Sequence, residues 1–410
     1  MSLVLASASP RRAKILSSLG IDFAVSPTGA PEVSLPHDPA GTVVRNALAK
    51  GAACKAAAGV QGDNVLSADT IVWHDGKIYG KPRDIDEAKS FLRELSGKTH
   101  RVYTGVALDG EAKCETSEVR FKSLDPAQID AYVAAVNPLD RAGAYDIDES
   151  GGAVVEGWSG SYENIMGLPV EPLVEWGLVP GVAPVGFFDS GEGGRAIMDA
   201  FLSLCPRQKV FYVADRENFP YGAKSRDEIF RLSLASTEKL LAKGCGTIVV
   251  ACNTATSAAI DHLRDMFPEV PFVGVEPAVK PAAAMSKTGR IGVLATAGTL
   301  AGERFGGICR KFAGGVEVVS VAAGELVELS ERGETEGSAV EAAVRKRVEP
   351  LLDAGCDAIV LGCTHFIRLA PVVRKIVSGR AHVVDPAKAV ARQIVRVIAS
   401  RAVRAGQPAV

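Results

Sequence analysis

From residue 185 onward, short apolar runs rich in β-branched residues alternate with stretches of helical periodicity. The runs at 185–188, 210–214, 248–251, 272–275, 291–294, 317–321, 358–361 and 382–384 read as strands. Most are followed by Gly, Ser, Thr or Asn and then a helix-like segment, which is the pattern of parallel sheets flanked by helices. The first half of the chain shows the same alternation. Between the halves, Gly177-Leu-Val-Pro-Gly-Val-Ala-Pro184 holds two Gly and two Pro, where neither helix nor strand continues easily. The pattern predicts an α/β chain of two domains, 1–180 and 181–410.

The second half also repeats itself. Shifted by 111 positions, residues 238–252 (EKLLAKGCGTIVVAC) match residues 349–363 (EPLLDAGCDAIVLGC) at eight of fifteen positions. Chance matches at roughly one position in fifteen would give about one. Val185-Gly-Phe-Phe and Ile291-Gly-Val-Leu form a coarser pair in the same sense. Two related α/β lobes follow, one at about 185–280 with a C-terminal segment and one at about 285–385, each with a strand ending on a cysteine.

A chain of 410 residues that is 47% hydrophobic and 23% charged has an ordinary globular composition. The net charge of −2 is a sum of unlike halves. Residues 1–180 carry 17 Lys and Arg against 24 Asp and Glu, a net −7, and residues 181–410 carry 29 against 24, a net +5. Neither half is basic enough for a nucleic-acid footprint. No apolar stretch approaches a membrane span, and the opening MSLVLASASPRR is too short an apolar run for a secretory signal. The eight cysteines show no zinc spacing. These features together predict a reduced, cytoplasmic chain with free thiols and neither nucleic-acid nor membrane partners.

Cys252 and Cys363 end matching strands, at the edge where open α/β sheets bind ligands. Each begins a polar turn, Cys252-Asn-Thr and Cys363-Thr-His. Cys245 and Cys356, at the other end of the same strands, read as packing residues. Two thiols presented symmetrically suit two-base proton transfer at a stereocentre, with an acid on one face and a base on the other. Asp189, after the run at 185–188, and His365 are the residues placed to tune the two thiols.

Five motifs in order, Phe188-Asp-Ser-Gly-Glu-Gly-Gly194, Phe219-Pro-Tyr-Gly222, Ala251-Cys-Asn-Thr-Ala255, Gly274-Val-Glu-Pro277 and Leu361-Gly-Cys-Thr-His365, resemble those of bacterial glutamate racemase across about 185–400. The resemblance implies a cofactor-independent enzyme that interconverts L- and D-glutamate for peptidoglycan synthesis. Cys252 and Cys363 would exchange the α-proton, with Asp189 and His365 as helpers. Asp215 and Glu276 match further acidic positions, and Ser190, Pro220, Tyr221, Gly222, Asn253, Thr254 and Thr364 match residues that hold the amino acid. Glu192 departs from the pattern, standing where a small or apolar residue is usual, as does Phe366-Ile after the histidine. An aspartate racemase is the alternative, although His365 favours glutamate.

In the first half, Ser9 suits an N-cap, Pro10 the first helical position and Gly20 the position after the helix. Arg11 and Arg12 then fall in the first turn, where cations oppose the helix dipole unless an anion is present. Asp69, after the apolar Val65-Leu66, reads as the end of a short strand, placed for a metal or water. Lys50 and Lys81 add two more cations.

The stretches at 5–12, 45–50, 67–72, 80–83, 95–104, 142–145 and 160–169 resemble the Maf-type nucleoside triphosphate pyrophosphatases, which are linked to inhibition of septum formation. That family implies an α/β fold with an elongated cleft, a divalent metal (Mg²⁺ or Mn²⁺) and cleavage between the α- and β-phosphates. Asp69 would activate water or bind the metal. Arg11, Arg12, Lys50 and Lys81 would hold the triphosphate, with Ser7, Ser9 and Glu32 nearby. Asp148 stands where dTTP- and UTP-hydrolysing members carry Gln, while Tyr145 and Ile147 still favour the pyrimidine type. The combined expectation is a bifunctional enzyme acting on small molecules, compatible with a homodimer. A non-catalytic, nucleotide-sensing or division-regulating first domain is the alternative.

Overall fold

The computed structural model describes residues 3–57, 64–148 and 151–405. The chain divides into two compact units, Met1–Pro180 with Ala399–Val410, and Gly181–Ile398. Among the described residues no helix is long and apolar enough to cross a membrane.

The first unit is built on β1 (Leu3–Leu5), β2 (Phe23–Val25), β3 (Asn64–His74), β4 (Lys77–Tyr79), β5 (Thr99–Leu108), β6 (Glu111–Phe121) and β7 (Val155–Ser159). The sheet runs β2-β1-β3-β5-β6-β7, with β4 paired to β3. β1 is parallel to β2 and β3, and every pairing from β3 to β7 is antiparallel. Two Asp-Gly turns join β3 to β4 and β5 to β6: Asp75-Gly76 and Asp109-Gly110 take positive φ at both residues, as a two-residue hairpin requires.

Asp69 does not end a short strand. β3 runs through it to His74, because Thr70, Ile71, Val72 and Trp73 all suit a pleated sheet. The parallel pairing with β1 does stop, at Leu66, so Asp69 lies just past the carboxyl edge of the parallel part, opposite Gly105. A Cβ on Gly105 would come within 2.4 Å of the Val43 backbone. The glycine therefore lets the helix Pro39–Ala56 lie close on the sheet and lean Asn46 and Lys50 toward Asp69.

The second unit holds β8 (Val185–Asp189), β9 (Val210–Ala214), β10 (Thr247–Val250), β11 (Phe272–Gly274), β12 (Arg290–Ala295), β13 (Glu317–Ala322), β14 (Ala358–Leu361) and β15 (His382–Val384). They form two all-parallel sheets, β11-β10-β8-β9 and β13-β12-β14-β15. Read from its other edge, the first order becomes β9-β8-β10-β11 and matches the second, with β8 in the place of β12 and β10 in that of β14. The match extends to packing. A Cβ on Gly186 would meet Leu240 at 3.0 Å, and one on Gly292 would meet Leu351 at 2.8 Å. Leu240 and Leu351 are themselves 111 residues apart, so each lobe seats the same helical leucine over the same strand glycine. β8, β10 and β14 are buried along their whole length, which explains their unbroken apolar runs.

Candidate active sites

The two repeated cysteines occupy equivalent backbone positions. Cys252 follows β10 as N-cap of the helix Asn253–Met266, and Cys363 follows β14 as N-cap of the helix Thr364–Arg368. Both are buried. The Cys252 Sγ accepts a hydrogen bond from the Ala255 N–H at 3.5 Å and lies 3.7 Å from the Ser190 Oγ. Burial, and after it the negative charge of Asp189, push the Cys252 thiol up to about 12, against the helix N–H that favours its thiolate.

The Cys363 Sγ lies 3.9 Å from His365 Nδ1, and His365 Nε2 lies 2.6 Å from the Glu331 Oε2. Burial works against an imidazolium here. The hydrogen bonds with Cys363 and Glu331 and the charges of Cys363 and Asp189 outweigh it, and His365 is pushed up to about 10. The bond from His365 in turn holds Glu331 below its ordinary carboxylate value.

Asp189 joins the two thiol sites. Its Oδ1 accepts from the Ser190 Oγ at 3.1 Å and the Gly191 N–H at 3.3 Å, and its Oδ2 accepts from the Thr364 Oγ1 at 3.1 Å. The carboxyl is fully buried, and burial raises it above its ordinary value despite His365 and these donors. Glycines make the approach possible: a Cβ on Gly193 would lie 2.5 Å from His365 Nδ1, and one on Gly194 would lie 2.7 Å from the Ala251 Cβ.

The other predicted residues form smaller groups. Asp215 accepts from the Tyr221 hydroxyl at 2.6 Å and from Asn218 at 2.9 Å, on the loop that carries Pro220 and Gly222. Asn253 donates to the Val275 carbonyl at 3.1 Å and leaves its own buried Oδ1 without a partner. The Thr254 and Thr296 hydroxyls are 3.2 Å apart. Glu276 accepts from Arg304 at 2.6 Å, within an ion-pair group that includes Asp261.

In the first unit, a cleft of about 560 Å³ is lined by Ser7, Ser9, Arg11, Arg12, Glu32, Lys50, Asp69 and Lys81, all named from the sequence. The Lys50 ammonium bridges Asp69 Oδ1 and Glu32 Oε1, each at 2.6 Å. Asn46 donates to the other Asp69 oxygen at 2.9 Å. Ser9 sits at the N-cap, yet its side chain makes no capping bond. Arg12 is held by protein acceptors: the Ala68 and Gly167 carbonyls at 2.8 Å and the Ser7 and Thr70 hydroxyls at 3.0 Å. Burial pushes it down to about 10, and its charge faces inward rather than to solvent. Lys81 pairs with Asp140, whose carbonyl also accepts from Arg11 at 3.3 Å. Asp148 does not line the cleft; it pairs with Lys14 at 3.2 Å and accepts from the Tyr162 hydroxyl at 3.3 Å. Tyr145 and Ile147 do line it.

Residues 2–176 match the family described as Maf-like protein, and residues 195–394 match Asp/Glu/Hydantoin racemase. Glutamate racemase from Ectopseudomonas mendocina is 44% identical over 227 residues, covering 55% of this chain and 86% of the relative. Its counterpart from Herpetosiphon aurantiacus is 46% identical over 217 residues, covering 53% and 85%. The chain belongs to the glutamate racemase family. A Maf-like domain precedes the racemase domain in the same chain. Among solved structures, glutamate racemase of Escherichia coli in complex with L-glutamate and the activator UDP-MurNAc-ala is 32% identical, with a TM-score of 0.48, covering 52% of this chain and 82% of that one.

The racemase and Maf-like domains each contain a residue that sequence reasoning missed. Glu331, 34 positions before His365, carries no local signal, and only folding brings it to the imidazole. Asn46 could have been found, since it lies four residues before Lys50 on the same helical face. The Maf-like family implies a divalent metal. Among the described residues no group of three or more His, Cys, Asp or Glu side chains gathers. Asp69 and Glu32 do converge on one cation, Lys50, and two hard carboxylates at the wall of this cleft suit Mg²⁺, which takes the rest of its shell from water and phosphate.

Proposed function

We propose that residues 181–410 racemise glutamate without a cofactor, supplying D-glutamate for peptidoglycan, and that residues 1–180 hydrolyse nucleoside triphosphates to monophosphate and pyrophosphate, both in the cytoplasm. For the racemase, the supporting observation is the pair of cysteines on matching N-caps with Asp189 hydrogen-bonded toward both.

One thiolate takes the α-proton from one face of glutamate onto its sulfur. The other thiol gives its proton to the opposite face of the carbanion, and the reverse reaction exchanges the roles. Asp189 serves the Cys252 side through Ser190, and His365, held by Glu331, serves the Cys363 side. The unpartnered Oδ1 of Asn253, with Ser190, Thr254 and Thr364, would hold the charged ends of the amino acid, and Asp215 would brace Tyr221 beside them. Circular dichroism of L-glutamate incubated with the chain and no additive tests this reading: decay of the signal toward zero is expected, and a constant signal refutes it. Running L-aspartate alongside decides the substrate.

In the first unit, Asp69 and Glu32 would hold the divalent metal, which when bound offsets the charge of the phosphates. Asp69 would also orient the attacking water, Lys50 and Lys81 would take the triphosphate oxygens, and Arg12 would hold the walls of the cleft together. Tyr145 and Ile147 favour a pyrimidine base, dTTP or UTP. Pyrophosphate release from dTTP in the presence of Mg²⁺ tests the activity. It is expected to fall about a hundredfold or more in Asp69→Asn, as for a group acting on the attacking water. Absence of release from any triphosphate would leave the domain a binding module.

A further inference from the structure

Glu192 is a charged residue where the racemase pattern carries a small or apolar one. We infer that it is a positioning residue of the thiol site, clasping the loop of Asp215 and Tyr221 to the glycine-rich loop of Ser190 and linking both to the Glu331–His365 pair. The inference rests on the racemase reading above.

Three segments meet at this one residue. The Glu192 side chain is 13% exposed, and its two carboxylate oxygens face different partners, one toward Arg195 and one toward Arg216. Arg195 opens the helix Arg195–Leu204. Arg216 belongs to the turn Arg216–Asn218, directly after Asp215, which receives the Tyr221 hydroxyl. The Glu192 backbone N–H donates to the Glu331 Oε2 at 2.9 Å, the same oxygen that lies 2.6 Å from His365. Tyr212 braces the same loop from β9: its hydroxyl donates to the Gly191 carbonyl at 3.0 Å, and the Arg195 guanidinium lies 5.1 Å from the centre of its ring.

A small residue at 192 could still offer its N–H to Glu331, but it could not tie down Arg216. The carboxylate therefore adds one thing, the tether between the two loops proposed to close on the amino acid. A tether of this kind acts on binding of the ground state. Its loss raises KM and leaves the proton-transfer step alone.

The test uses the full chain in Glu192→Gln, Arg216→Gln and the double variant, measured with both enantiomers of glutamate. Arg216 is 66% exposed, so its replacement does not threaten the fold. In each single variant KM is expected to rise about fivefold with kcat within about twofold, as for an ion-pair tether acting on binding alone. The double variant is expected to match the singles, because both remove one tether. About 0.5 M salt is expected to raise the wild-type KM toward the variants and leave theirs unchanged, since a partly exposed ion pair is screened. Glu192→Asp should recover part of the loss. Unchanged KM in Glu192→Gln beside an active wild type, or losses that add in the double variant, overturns the inference while the racemase reading stands. A wild-type chain that does not racemise glutamate refutes the reading on which it rests.

Discussion

Cys252 and Cys363 share a backbone position, a helix N-cap after a buried parallel strand, but not an electrostatic setting. Cys252 faces Ser190 and, through it, the buried carboxyl of Asp189, and its thiol is pushed up to about 12 by burial and by that negative charge. Cys363 faces His365, whose proton is secured by Glu331 and whose value is pushed up to about 10. A duplicated scaffold has thus been given two different proton reservoirs. Backbone symmetry presents a thiol from each lobe, and in the proposed two-thiol mechanism the unlike side chains behind them would let one act as acid while the other acts as base.

Removing either thiol should have the largest effect. Cys252→Ala and Cys363→Ala are each expected to lower racemisation about a thousandfold or more, and the double variant should be no slower, because the thiols act as a unit. Substantial turnover in either single variant, read by loss of circular dichroism, would show that one face needs no protein acid.

A smaller effect sharpens the difference between the sides. Glu331→Gln removes the partner that secures the His365 proton, so the alkaline limb of kcat/KM, expected near pH 10 in the wild type, should move toward neutrality, with a loss of about tenfold at pH 8. Ser190→Ala, on the other side, should leave that limb in place. The stability sign follows from the same group. His365 is raised on folding, so its contribution is complete below about pH 6.5 and is lost as pH rises through about 10. Thermal melting of the second unit should fall over that window, and less so in Glu331→Gln. Smallest of all, Thr364→Val removes one donor from buried Asp189 and should cost about 1–2 kcal/mol of transition-state stabilisation. A loss confined to one direction of racemisation at saturating substrate would mark Asp189 as serving one thiol more than the other.

Much of this was legible along the chain, and the reason is physical. β14, buried along its whole length, is legible to the residue because a parallel strand covered on both faces is an unbroken apolar run. The part-exposed edge strands β9 and β15 are legible as well, because their β-branched and aromatic residues suit a pleated surface. The other strands of the second unit are legible to within one residue. The repeat was legible because both lobes solve one packing problem, a leucine over a glycine. Less legible were contacts that only the folded chain creates. Glu331 reaches His365 from another helix, and Arg12 turns inward to four acceptors spread over residues 7 to 167, although its place in a helical first turn suggested a free phosphate ligand. The hairpins at Asp75-Gly76 and Asp109-Gly110 did carry a signal, two Asp-Gly pairs, that the apolar periodicity alone does not register.

Gly193 sets the tolerance of the seam between the lobes. With 2.5 Å between the place of its missing Cβ and the imidazole of His365, the seam has no clearance for a single methyl group. Any side chain at 193 must displace either the loop or the ring, and His365 cannot yield without loosening from both Glu331 and Cys363. The fit of the imidazole against this loop is thus machined into the chain by an atom left out.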